Sequence, residues 1–151
     1  MAGEKSTTYA NLVLAAMLTN TVTGITNIVA AGSQTQLYLS LHTADPAASG
    51  TQTTNEVTTT QYGAYTRVAV NRSSAVWTVT GATATLTAAV SFPTTTTTGT
   101  GVTATYFAIG ALSSGAGAIL YTGPITPNIV IPATTAGVIP QLTTSTTITE
   151  A

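Results

Sequence analysis

Gln36-Leu37-Tyr38-Leu39-Ser40-Leu41-His42-Thr43-Ala44-Asp45-Pro46 is the stretch whose reading decides the fold. Leu37, Leu39 and Leu41 fall on one side of an extended backbone and Tyr38, Ser40 and His42 on the other, which is the period of a half-buried strand. Thr43-Ala44-Asp45-Pro46 stops it, because Asp can bond its own following backbone and Pro removes a ladder donor. His42 is therefore expected at a strand end and Asp45 at the start of a turn.

Downstream, Tyr65-Thr66-Arg67-Val68-Ala69-Val70 alternates again, with Thr66, Val68 and Val70 expected on one side. Shorter strands are expected at 76–80, at 83–87 joined to it near Gly81, at 89–92 ending at Pro93, and at 102–109, 119–121, 128–131 and 141–149. Short strands punctuated by Gly, Pro and Asn, with no alternation of strand and helix, predict an all-β fold: a single-domain antiparallel β-sandwich or jelly roll. Gly110 to Gly117 lacks the Lys and helix of a phosphate loop and reads as a hairpin turn. The threonine run 94–98 reads as an extended surface loop.

Upstream, Ser6 or Thr7 can cap a short amphipathic helix whose apolar face is Tyr9, Leu12, Val13, Ala16 and Met17, with Gly24 where the chain leaves it. Lys5 before an apolar run, with Val29-Ala30-Ala31 beyond, has the order of an export signal. Asn11 interrupts that run and 19–26 is too polar, which favours the helix. Residues 1–35 are thus read as an N-terminal arm with the helix and 36–151 as the β domain, together one structural unit.

Only seven of 151 residues are charged, namely Glu4, Lys5, Asp45, Glu56, Arg67, Arg72 and Glu150, for a net charge of -1. Soluble domains are about a quarter charged, so this surface must be solvated by other means. The 37 threonines supply β-branched strand formers and hydroxyls in place of charges. With almost no Lys or Glu to blunt them, strand edges are expected to be covered by sister subunits or another protein. Three basic residues cannot neutralise a run of phosphates, which argues against nucleic acid and against an anionic membrane surface. The absence of Cys removes disulfides and thiol chemistry, and a single His cannot build an imidazole-rich zinc site.

His42 and Asp45 could be joined with one of many hydroxyls into a triad, but a turn at Asp45-Pro46 explains them more simply. Asp45 and Glu56 are the one carboxylate pair away from the termini, too little charge for a calcium site. No catalytic, cofactor or metal residue is expected. Arg67 and Arg72 flank one alternating strand near Tyr62, Tyr65 and Trp77, and Arg with aromatics is the composition of interface anchors. Asp45, Glu56, Tyr62, Tyr65, Arg67 and Arg72 are therefore the expected partner-contact residues, with Trp77 assigned to the core.

Read together, the helix, Leu37-Tyr38-Leu39-Ser40-Leu41-His42-Thr43-Ala44-Asp45-Pro46, Thr54-Asn55-Glu56-Val57 and Tyr65-Thr66-Arg67-Val68-Ala69-Val70 resemble a family of tailed-bacteriophage virion proteins. Ala89-Val90-Ser91-Phe92-Pro93, Thr105-Tyr106-Phe107-Ala108-Ile109-Gly110 and Leu120-Tyr121-Thr122-Gly123 fit it too, so the resemblance covers nearly the whole chain. Threonine-rich insertions around 58–61 and 94–100 depart from the pattern. The resemblance implies a β-sandwich structural protein of tail-fibre, head-fibre or capsid-decoration type, without catalytic residues. A decoration protein is the expected member type: it would bind the major capsid protein on the assembled shell and stabilise it by mass action, as a homo-oligomer such as a trimer. The alternative is a tail or fibre adaptor that contacts the host surface. Thr83-Ala84-Thr85 and Thr103-Ala104-Thr105 also suggest a flat array that binds a lattice such as ice, although no equally spaced repeat supports it. A hydrolase acting through His42 ranks last.

Overall fold

The computed structural model describes residues 6–21, 34–46 and 50–150. The elements in chain order are α1 (Thr7–Thr19), β1 (Gln36–His42), β2 (Val68–Asn71), β3 (Trp77–Thr80), β4 (Thr83–Leu86), β5 (Val90–Ser91), β6 (Val102–Gly110), β7 (Ile119–Ile131), β8 (Gln141–Leu142) and β9 (Thr147–Thr149). The strands form a four-stranded sheet β2-β1-β6-β7, a three-stranded sheet β3-β4-β9 and a two-stranded ladder β5-β8. Every pairing is antiparallel, so the all-β antiparallel architecture with one N-terminal helix holds. A single hydrophobic cluster joins the layers: Leu14 and Leu18 of α1, Leu39 of β1, Trp77 of β3, Phe107 of β6, Leu142 of β8 and Ile148 of β9 all belong to it.

Leu37, Leu39 and Leu41 are buried, as their alternation predicts. The opposite face is not wet, however: Ser40 and His42 are completely buried as well. β1 is an inner strand, and residues 54–57 pack along its end, which turns the expected half-buried strand into one buried on both faces. One edge of β1 pairs with β6 from Tyr38 opposite Gly110 to His42 opposite Tyr106. On the other edge β2 reaches only as far as Leu39 opposite Val68. Beyond it the Leu41 N–H donates to the Tyr65 hydroxyl at 3.1 Å, and the Val57 N–H donates to the Leu41 carbonyl at 2.9 Å.

The same demand explains why β2 begins at Val68 and not at Tyr65. Tyr65 and Arg67 turn inward to meet polar partners while Thr66 is exposed, so Thr66 does not share the face of Val68 and Val70. Gly81, with φ of 59°, opens the two-residue turn from β3 to β4 where the sequence places one. The two strands expected at 119–121 and 128–131 are one strand, β7, which runs through Pro124 and Pro127. Proline lacks a ladder donor, which suggested a break, yet an edge strand tolerates it. Opposite Thr105, β7 loops out four residues, 125–128, between Pro124 (opposite Tyr106) and Ile129 (opposite Ala104), and Ile125 in that bulge is buried. The expected strand 141–149 divides into β8 and β9 around a turn closed by the Thr146 N–H on the Thr143 carbonyl at 3.0 Å.

Ser6 caps α1, its hydroxyl accepting from the Tyr9 N–H at 3.2 Å. Asn20 ends it in the left-handed region with φ of 57°, and Gly24, the expected exit, lies outside the described residues, as do Glu4, Lys5 and Val29 to Ala31. The buried residues are Ala10, Leu14, Ala16 and Leu18, whereas Tyr9 is exposed. Residues 12–18 are apolar without interruption, so periodicity could not single out the face that packs on β3 and β4. The last turn of α1 has no basic residue of its own. Arg72 supplies the missing cation from across the fold, donating through Nε to the Met17 carbonyl at 2.7 Å and through Nη2 to the Ala16 carbonyl. Its Nη1 reaches the Gln34 carbonyl at 2.8 Å, so one guanidinium ties the helix C-terminus to the entrance of β1 and complements the helix dipole.

Arg72→Ala is expected to free α1 at a cost of about 2 kcal/mol. Hydrogen exchange should then accelerate over residues 10–19 while β1 and β6 stay protected; uniform loss of protection would show that the guanidinium is not a local clamp.

Candidate functional site

Glu56 and Arg67 meet as a two-point ion pair. Arg67 Nε donates to Glu56 Oε1 and Nη2 to Oε2, each at 2.7 Å, with the side chains 3% and 13% exposed for Arg67 and Glu56. The Tyr65 hydroxyl donates to Glu56 Oε1 at 2.9 Å while accepting from Leu41. Arg67 also donates to the carbonyls of Leu112 at 3.0 Å and Gly115 at 2.8 Å in the β6–β7 loop. A guanidinium presents its donors in a fixed fork, so this arrangement sets the position of the loop as well as neutralising the carboxylate. The Glu56 bond holds the Arg67 cation above its ordinary value. Burial, reinforced by the Glu56 charge, pushes the Tyr65 phenol far up, so it acts as a hydrogen-bond donor and not as an acid.

A shallow depression of about 430 Å³ opens over this ion pair, bordered by Thr53, Thr58, Thr59, Thr66, Ser113 and Ser114. The charges form its floor and are spent on one another. A partner arriving here meets hydroxyls first.

His42 lies on the adjoining end of β1, where it bridges to Glu56 along the backbone. Its Nδ1 is 2.8 Å from the Thr54 carbonyl, which can only accept, so Nδ1 carries the proton. Nε2 is then the acceptor for the Ser40 hydroxyl at 2.8 Å. Burial holds the imidazole below its ordinary value, against the Thr54 carbonyl and the Glu56 charge, which both favour the cation. His42 thus partners Ser40 and the Thr54 backbone carbonyl.

The six expected contact residues separate into different environments. Glu56, Tyr65 and Arg67 form the network above. Tyr62 is 1% exposed, donates to the Pro93 carbonyl and packs against Tyr65 with ring centres 5.8 Å apart; burial pushes its phenol up to about 12. Arg72 is the helix clamp. Asp45 is exposed at the turn, where its carbonyl accepts from the Asn55 side chain at 3.0 Å. Trp77 is in the core, as expected, with its indole N–H unpartnered.

Sequence reasoning passed over Gln52, which is completely buried. Its amide donates to the Leu112 carbonyl and accepts from the Leu112 N–H, both at 3.1 Å, standing in for a neighbouring strand. A Cβ at Gly110 would fall 2.0 Å from that amide, which explains the glycine. In the sequence it is one Gln among threonines after Gly50, with nothing to mark its burial.

Arg67→Met is expected to lower stability by about 3 kcal/mol because it leaves a partly buried carboxylate unpaired, and Arg67→Lys should recover only part of the loss. Denaturant unfolding of Arg67→Met, Glu56→Gln and the double variant checks this: a coupling near zero would remove the ion pair as the organiser of the loop. His42 adds a pH dependence. The unfolded chain takes up the proton more readily than the buried imidazole, so stability is complete above about pH 6.5 and falls as pH drops below it. Tm should decline as pH falls below about 6.5, and His42→Gln should flatten that decline.

The family model described as podophage GP4 fiber I protein gp80 matches residues 4–147, from ahead of α1 into the start of β9. No curated protein matches the chain. The match takes in the helix, the β1 strand and the Glu56–Arg67 network alike, and a resemblance of that extent shows the family: the chain belongs to the podophage GP4 fiber I protein gp80 family, a fibre-type family of phage virion structural proteins.

Proposed function

We propose that this virion structural protein acts as a fibre-type subunit that carries contacts between the particle and the host surface. The observation that supports the reading is the fibre-type family match over residues 4–147. The arrangement of charge agrees with it. Arg67 and Arg72 are both committed to partners within the chain, so apart from Asp45 at its turn the exposed face of the described residues offers mainly hydroxyls and amides, suited to binding a neutral partner by shape. We read the Ser40–His42 pair as structural, since both side chains are completely buried away from any substrate, and we assign the chain no catalytic role.

Association between copies is part of the proposal. β7 ends the four-stranded sheet with Val130 66% exposed, and a sister subunit in a trimer would cover such a surface. The second reading is a decoration protein bound to the major capsid protein, which is favoured by the packing of the described residues around one core cluster.

A density map of the whole virion, with antibody labelling of this chain, separates the two. A fibre-type subunit appears in a few copies at projecting appendages. Density repeated over the whole shell would reject that reading in favour of the decoration protein.

A further inference from the structure

One cleft among the described residues is neutral throughout. It has a volume of about 520 Å³ and lies between the β7 bulge and the turn from β8 to β9. Pro124, Pro127, Ile125 and Leu142 give it apolar surface, and Asn128, Gln141, Thr143, Ser145, Thr146 and Thr147 supply hydrogen-bonding groups. No lining residue can ionise. The volume is that of a small-ligand site, and the bulge that shapes it is the four-residue excursion opposite Thr105.

The cleft continues onto a second neutral surface. Thr78-Val79-Thr80, Thr83-Ala84-Thr85 and Thr147-Ile148-Thr149 stand side by side on β3, β4 and β9. Thr78 faces Thr85 and Thr85 faces Thr147; Thr80 faces Thr83 and Thr83 faces Thr149. The alternate residues Ala84 and Ile148 are buried, so six threonines share the outer face, in rows about 4.8 Å apart across strands and about 6.8 Å along them. Thr83-Ala84-Thr85 gains its repeat from strand pairing and not from the linear sequence, while Thr103-Ala104-Thr105 lies in the other sheet. Thr147 belongs both to this array and to the cleft. β-Branching restricts each threonine to few rotamers, so its hydroxyl and methyl are held in place before a ligand arrives.

We infer that the cleft between the β7 bulge and the β8–β9 turn, continued by the threonine face, binds a neutral polysaccharide. A polyhydroxylated, uncharged chain both donates and accepts at each ring, which matches amides and hydroxyls, and its C–H faces suit the proline walls. An acidic glycan would find no cation among the lining residues. The inference rests on the reading of the chain as a host-contacting subunit and names the chemistry of that contact.

The test is binding of the full chain to immobilised neutral oligosaccharides built from glucose, galactose, rhamnose and N-acetylglucosamine, with sialylated and sulfated counterparts. Neutral members should be retained and acidic ones not. Asn128→Ala should weaken retention about tenfold, the loss of one good hydrogen bond, and Ser145→Phe should abolish it by filling the cleft. Both positions lie on exposed backbone, and an unchanged Tm verifies the fold. Retention of acidic members alone, of none, or undiminished retention by both variants overturns the site. Virion labelling is scored separately. A chain found at the appendages that binds no neutral glycan overturns this inference and leaves the fibre reading, whereas a glycan-binding chain found over the shell overturns the fibre reading and keeps the site.

Discussion

A strand buried on both faces must satisfy its backbone on both edges without water, and β1 does so with several partners. β6 takes one edge from Tyr38 to His42. The other is divided among β2, the Tyr65 hydroxyl and residues 55–57. Each substitute for a missing strand needs support. Tyr65 is held by Glu56, Glu56 by Arg67, and Arg67 by the loop between β6 and β7. The backbone requirement at Leu41 therefore propagates to a surface loop about 70 residues along the chain.

This hierarchy explains how a chain with so few charges uses them. An exposed ion pair contributes at most about 1 kcal/mol, whereas removing one member of a buried pair costs about 3 to 5. Arg67 is nearly enclosed and Glu56 only slightly open, which puts the pair nearer the second regime. Such a pair need not stabilise more than apolar residues would; what it adds is direction, since only one loop position satisfies the guanidinium fork. Arg72 follows the same logic at the helix, where three backbone carbonyls converge on one cation. In both places a side chain that composition would place on the surface is a fixture between elements.

The strands were legible wherever one face is apolar and the other polar, as at Trp77–Thr80 and Thr83–Leu86 with Gly81 between them. Legibility failed where partners distant in sequence determine burial. Ser40 and His42 look outward by alternation, yet a loop that returns 12 residues later encloses the imidazole. The helix face was misread because its apolar run has no polar interruption over 12–18. Of the expected contact residues, Glu56, Tyr65 and Arg67 lie together in one hydrogen-bonded network, whereas Asp45, Tyr62 and Arg72 have other partners, a division that spacing along the chain does not reveal. The cleft was invisible because the bulge that makes it exists only in the register of β6 against β7.

Low charge carries a second problem, the unprotected sheet edge, and the fold limits it by geometry. β2 and β3 are four residues long and β9 three, too short to template much pairing. β7, at 13 residues, is the long exception. Pro124 and Pro127 remove two donors from it, and the bulge between 125 and 128 breaks its straight run. The irregularity that protects this edge from indiscriminate pairing is also what opens the neutral cleft. Proline and bulge therefore do here what lysine does on ordinary edge strands, and they do it without placing a charge on the surface.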